Sequence, residues 1–265
     1  MFKERETGSW PGIAVANDAL AKGILACAHE PVGVGVPDED PSPQDLLVEL
    51  GKDAVLIVVS DTKPGPGPAI VDFRTRPAVV DRRGRLGILE LERELGEMVQ
   101  LGAGLVFSVL VVCTGNCCRS PMAAGLLSQM LGPERVFIYS AGTDAPVGSP
   151  ATSNAIVAAG ELGVDLTLHR SQLIDTGLVQ NADLVLVMEE YHRRRVLELV
   201  PGAESKTRLV AEQGIADPLG QPLEAYRRTA AELRRYLVPV AHEIRQRIAS
   251  EKLDTSEDRK AELEA

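Results

Sequence analysis

Aromatic side chains are scarce in this 265-residue chain, which has four Phe, four Tyr and one Trp. Aliphatic side chains must therefore fill its core. Positive charge is also in deficit. Lys and Arg number 28 against 38 Asp and Glu, a net charge of -10, which argues against nucleic acid and against an anionic membrane surface as partners. Long apolar runs are missing: the most apolar stretch, Leu101 to Cys113, is too short to span a bilayer and contains glycines. The first twelve residues hold no apolar h-region and no cleavage site, so no signal peptide is expected. Cysteine is sparse. The four are Cys27, Cys113, Cys117 and Cys118, three of them within six positions. That is no disulfide framework; it fits a cytoplasmic protein whose thiols do chemistry. Neither the vicinal cysteines nor His29, His169, His192 and His242 supply metal-ligand spacing. No metal and no cofactor is expected.

What is present divides into two unequal parts. Before about Gly102, short periodic segments alternate with breakers. Asp53–Asp61 is expected as a buried strand, Thr62–Pro68 as a rigid turn, "AIVDF" and "AVVDRRG" as strands, and "ILELERELGEMVQLG" as a helix ending at Gly102. From Leu105 onward strands and helices alternate: strand "LVFSVLVVC", helix "SPMAAGLLSQML", strand "RVFIYSAG", helix "PATSNAIVAAGELG", strand "ADLVLVME", helix "YHRRRVLELV" and strand "KTRLV". Apolar residues then recur at Leu223, Tyr226, Ala230, Leu233, Leu237, Ala241, Ile244 and Ile248, one face of a long helix. Pro239 is expected to kink or interrupt it. The pattern predicts an α/β fold with an open, parallel, four-stranded sheet and helices on both faces, preceded by a smaller α/β domain. In such sheets ligands bind at the carboxyl ends of the strands, where Cys113 stands.

The stretch "VLVVCTGNCCRSPMAAGLL", Val109 to Leu127, carries the chemistry. A turn from strand into helix can aim successive backbone N–H groups at a common centre, and such a nest at a helix N-terminus binds a tetrahedral oxyanion. Gly115 permits the backbone angles and Asn116 tolerates a left-handed one. Arg119 supplies a planar fork for two phosphoryl oxygens. The same field is expected to favour thiolate over thiol, lowering Cys113 from the ordinary value of about 8.5. Ser120 is placed to donate a hydrogen bond to the sulfur. The product is an activated nucleophile beneath a bound phosphate. A phosphocysteine intermediate needs a proton donor for the leaving group and a base for water, and one carboxyl group can serve both. Asp217, in "IADPLG" ahead of the long helix, is the candidate, with Pro218 stiffening its loop.

"VCTGNCCRSPMA" together with "DPLG" resembles the signature of the low-molecular-weight protein tyrosine phosphatases, and "YSAGT", "LHRSQ" and "ADLVLVME" fit at the corresponding places. The resemblance runs from about residue 105 to 250. It implies a phosphotyrosine protein phosphatase I-like fold and phosphorylated proteins as substrates, with Cys113 as nucleophile and Arg119 stabilising the transferring phosphoryl group. Asp217 would be first general acid, then base. It assigns Thr114, Gly115, Asn116, Cys117, Cys118 and Ser120 to the phosphate-binding loop. Asn116, Ser140 and His169 would hold that loop's shape through hydrogen bonds. Cys118 would trap Cys113 as a reversible disulfide under oxidation. Two positions bear on the substrate. Leu219 stands where tyrosine-directed members usually carry an aromatic, and Thr114 where they carry a bulky aliphatic. "VCTGN" is similar to the protein arginine phosphatase branch. Phosphoarginine and phosphotyrosine both stay open.

"GPAIVDFRTRPAVVDRRGRLG", Gly67 to Gly87, resembles the end of a threonylcarbamoyl-AMP synthase domain without its nucleotide-contacting residues. The expected domains are a shortened synthase-like unit at 1–102, a phosphatase domain at 105–250 and a charged tail at 251–265. Plainer readings are weighed beside these. Cys117 packs, Cys27 is a small core residue, and His192 with Arg193–Arg195 forms a solvated helix face. Rival functions are an arsenate reductase, which needs a cysteine after Cys118, and a catalytically silent phosphate-binding module.

Overall fold

The computed structural model describes residues 70–72, 76–83, 87–133 and 135–248. Asp53–Asp61, Thr62–Pro68, Cys27, His29 and the tail 251–265 lie outside the described residues. The chain divides into two compact units, Met1–Leu86 and Gly87–Ala265. In the first, β1 (Ile70–Asp72) pairs antiparallel with β2 (Val79–Arg82), at the places where strands are expected.

In the second unit α1 (Ile88–Leu95) is shorter than its periodicity suggests. Gly96 adopts φ 71° and its N–H bonds back to the Glu92 carbonyl at 2.8 Å, a left-handed cap that stops the helix well before Gly102. Gln100–Leu101 then forms the short strand β3.

The expected four-stranded sheet is all parallel: β4 (Phe107–Cys113), β5 (Val136–Gly142), β6 (Leu184–Val187) and β7 (Thr207–Leu209), in spatial order β5-β4-β6-β7. The run Val109–Cys113 is buried throughout because β4 is central and covered on both faces, which is why it reads as unbroken hydrophobicity instead of alternation. Helices α2 (Arg119–Leu131), α3 (Ser153–Gly160), α4 (Thr176–Asn181) and α5 (Glu190–Leu199) supply the connections, with a 3-10 turn at Pro201–Lys206. The short α4 has no counterpart in the sequence reading. Its six residues are too few for periodicity, and Asp175 capping the Leu178 N–H at 2.8 Å is its local signal.

The last helix, α6 (Leu223–Ile248), packs against α2 and α3. It buries Tyr226, Ala230, Leu233, Leu237, Ala241 and Ile244 as the periodicity requires. Pro239 does not interrupt it. A proline removes one helical hydrogen bond, and buried Leu237, Val240 and Ala241 on either side hold the turn in place. Near its end, buried Arg247 meets Glu92 of α1 through Nε and Nη2 at 2.9 and 2.8 Å.

Leu110 lies fully buried at the centre of β4, in a cluster with Val112, Val185 and Val187. Leu110→Ala is expected to lower unfolding free energy by about 2–5 kcal/mol, read as a shifted urea midpoint at unchanged m-value.

Candidate active site

The loop between β4 and α2 is held from outside by its carbonyls. Thr143 N–H donates to the Cys113 carbonyl at 2.9 Å, Asp144 N–H to Thr114 at 3.0 Å and Thr152 N–H to Cys117 at 2.9 Å. A ring nitrogen of His169 lies 2.6 Å from the Asn116 carbonyl. Planar peptides put each following N–H on the side opposite its carbonyl. The N–H groups of Thr114, Gly115, Cys117 and Cys118 therefore point away from these outer partners, as a nest requires.

Asn116 is the pin. It is fully buried at φ 51°. Its amide donates to Ser120 Oγ at 2.9 Å and Ser140 Oγ at 2.8 Å, and its Oδ1 accepts the Gln172 N–H at 2.9 Å. Ser140 and His169 thus both reach the loop through Asn116. Gln172, the last residue of "LHRSQ", joins them through its Nε2, which donates to the Ser140 carbonyl at 2.9 Å. Gly142, at the end of β5, lets the loop approach. A Cβ there would collide with the Thr114 carbonyl and lie 2.8 Å from the Asn116 nitrogen.

Cys113 Sγ sits 3.0 Å from Ser120 Oγ, and the N–H groups of Ser120 and Asn116 face the sulfur. The expectation of a lowered thiol pKa is not met. Burial pushes the Cys113 thiol up, against the pull of Ser120, the Arg119 guanidinium and the Asn116 N–H. Arg119 pulls the thiol down without outweighing its burial. Its buried guanidinium is already matched by two carboxylates: Nη1 donates to Glu189 at 2.7 Å and Nη2 to Asp217 at 2.5 Å. Nη1 also reaches the Ile215 carbonyl at 2.9 Å and Nη2 the Thr114 hydroxyl at 3.3 Å. Arg119 Nε is buried with no hydrogen-bond partner among the described residues. Asp217 itself is partly exposed, with Oδ1 accepting the Leu219 N–H at 3.1 Å. Leu219 is exposed beside it. The Ile215 N–H donates to the Met188 carbonyl at 2.8 Å, which ties the Asp217 loop to the end of β6.

Glu189 and His192 were not assigned from sequence. The reading of His192 as part of a solvated face is corrected: the ring is fully buried, with Nε2 2.9 Å from Thr114 Oγ. Its signal is positional, since Glu189 follows the carboxyl end of β6 and His192 lies one helical turn on. Burial and the Arg119 charge push His192 down to about 4. Cys118 Sγ lies 3.7 Å from Cys117 Sγ, 3.4 Å from Thr152 Oγ and 3.8 Å from Tyr226 Oη. The Cys117 thiol's hydrogen bond lowers Cys118 to about 7. Cys117 is half-buried, as a packing residue would be. Among the described residues no group of three or more His, Cys, Asp or Glu is arranged to hold a metal, and no helix is long and apolar enough to cross a membrane.

The model of the low molecular weight phosphotyrosine protein phosphatase family matches residues 108–250, more than half of the chain. The chain belongs to this family. One relative, a probable low molecular weight protein-tyrosine-phosphatase, AmsI, from Erwinia amylovora, is 40% identical over 126 residues, covering 46% of this chain and 86% of that protein. A protein-arginine-phosphatase from Geobacillus stearothermophilus is 38% identical over 133 residues, 48% of this chain and 88% of that protein. The solved structure of the YwlE arginine phosphatase from Geobacillus stearothermophilus superposes with a TM-score of 0.50 at 36% identity, covering 53% of this chain and 94% of that one. The matched segment of this phosphatase-family chain contains both the loop and Asp217.

Gly142→Ala forces the loop away from β5. Turnover of p-nitrophenyl phosphate is expected to fall more than tenfold while the far-ultraviolet circular dichroism stays native; undiminished turnover would show that the close approach is dispensable.

Proposed function

We propose that the protein hydrolyses phosphorylated side chains of proteins, phosphoarginine or phosphotyrosine, through a phosphocysteine intermediate, in the cytoplasm. The observation that carries this reading is Arg119, a buried guanidinium beside Cys113 whose Nε has no partner among the described residues and whose Nη2 is on the Asp217 carboxylate. A phosphoryl group would satisfy Nε and replace Asp217 at Nη2, since its oxygens make bidentate, charge-assisted bonds of the kind the carboxylate makes now. Asp217 is then released toward the leaving group.

In the first step the Cys113 sulfur attacks phosphorus in line. The S–P bond forms, the bond from phosphorus to the leaving oxygen or nitrogen breaks, and Asp217, in its protonated form once it has left Arg119, delivers that proton to the leaving atom. As the sulfur attacks, the Cys113 proton passes to a non-bridging oxygen of the phosphoryl group. In the second step water attacks phosphorus, the Asp217 carboxylate takes its proton and the S–P bond breaks to release phosphate. The N–H nest and Arg119 hold the equatorial oxygens in both steps. Asn116, Ser140 and His169 hold the loop, and Leu219 lies against the substrate side chain. The three free cysteines among the described residues suit a reducing compartment.

Three further readings belong to the same proposal. Cys113 and Cys118 close a reversible disulfide under peroxide. Residues 105–250 form the catalytic domain and 251–265 a charged tail. Residues 1–102 are a shortened threonylcarbamoyl-AMP synthase-like domain without synthase activity, supported by the Gly67–Gly87 motif.

Cys113→Ser is expected to abolish metal-free release of phosphate from p-nitrophenyl phosphate while vanadate or phosphate still binds by calorimetry; full activity in that variant removes Cys113 as nucleophile. Asp217→Asn is expected to slow turnover at least 10²-fold with a poor leaving group and far less with p-nitrophenol. Equal effects on the two would place the acid elsewhere.

A further inference from the structure

His192 is a buried titratable group that the reaction steps leave unused. It lies in the first turn of α5, one turn from Glu189, with no exposed surface. Nε2 is 2.9 Å from Thr114 Oγ. Nδ1 has no hydrogen-bond partner among the described residues and faces Glu189 Oε2 at 3.9 Å.

These contacts determine where the protons sit. Thr114 Oγ already accepts from Arg119 Nη2 at 3.3 Å, because a guanidinium can only donate. If Nε2 carried the ring proton, Thr114 would receive two donors, and the lone pair of Nδ1 would face the Glu189 carboxylate. With the proton on Nδ1, the N–H faces the carboxylate and Nε2 is free to accept the Thr114 hydroxyl proton. Only the second arrangement leaves no buried lone pair against an anion. The charged groups around the ring are Arg119, Glu189, Asp217 and Asp144, with Tyr191 edge-on at 5.5 Å. Burial and Arg119 keep the ring neutral at physiological pH.

We propose that His192 is a positioning residue for substrate choice. It draws the Thr114 hydroxyl proton to itself and leaves Thr114 Oγ as a hydrogen-bond acceptor beside Arg119 Nη2, which also holds the Asp217 carboxylate, favouring a phosphoryl group whose leaving atom carries N–H. Phosphoarginine has such donors. The leaving oxygen of phosphotyrosine has lone pairs only and meets another acceptor. The inference rests on the phosphatase reading above and chooses between its two substrates. It also explains a buried histidine paired with a threonine hydroxyl, which a purely apolar wall would make unnecessary.

Two measurements on the full chain test it. Long-range ¹H–¹⁵N spectra of the histidine-labelled protein at pH 7, assigned with His192→Gln, are expected to show His192 protonated at Nδ1; protonation at Nε2 overturns the proposal whatever the activity. Separately, kcat/KM is compared on phosphoarginine and phosphotyrosine peptides for wild type, Thr114→Val, His192→Phe and the double variant. Each single change is expected to lower the arginine-to-tyrosine preference about tenfold, the size of one hydrogen bond, and the double change no further, because the two residues act as one unit. His192→Gln, whose amide oxygen can accept the hydroxyl proton, is expected to recover part of the preference and covers the case in which Phe does not fit. Equal losses on both peptides, or additive ones, overturn the proposal. A wild-type chain that releases no phosphate from p-nitrophenyl phosphate defeats the phosphatase reading instead, and the tautomer measurement then still judges His192 on its own.

Discussion

A buried guanidinium is the constraint around which this domain is arranged. Arg119 has almost no exposed surface, and an arginine charge withdrawn from water must find partners. It finds Glu189 after β6, the Ile215 carbonyl and Asp217 in the loop before α6, and the Thr114 hydroxyl within its own loop. Three segments far apart in the chain are therefore tied to one side chain. The Asp217 carboxylate and the loop that carries Cys113 are brought together by this one charge. At Cys113 the guanidinium still pulls the thiol down, but desolvation is the larger effect.

The support beneath the loop follows the same logic on a neutral network. Asn116 takes a left-handed conformation that few residues accept, and its amide is fully used by Ser120, Ser140 and the Gln172 backbone. Each bond comes from a different element, so the loop's shape is determined by the sheet and its flanking turns and not by the loop alone. Gly142 is the complementary condition: β5 can lie this close only where there is no side chain.

Much of the fold was legible because its signals are local. The unbroken aliphatic run of β4, the helical spacing of α6 and the strand-helix alternation between them are read from neighbours a few residues apart. Where the sequence reading erred, a nonlocal or a very short feature decided. Helix α1 stops at Gly96 because a single left-handed glycine outweighs continuing periodicity. Pro239 does not end the helix, one of the two outcomes expected of it, because packing on both sides outweighs one missing hydrogen bond. His192 lies in "YHRRR", whose charged neighbours suggest a wet face, but its own position on the turn points inward to Thr114.

From the sequence alone came the candidate nucleophile Cys113, the arginine six residues on, the turn-permitting Gly115 and Asn116, and the carboxylate of "DPLG". All of these sit in short strings whose chemistry is carried by residue type and spacing. Tertiary structure decided what those groups meet. It set Glu189 and Asp217 against Arg119, put His192 behind Thr114, and raised the Cys113 pKa instead of lowering it. The physical reason is that charge compensation and desolvation depend on distances between segments seventy to a hundred residues apart, and residue order does not encode such distances directly.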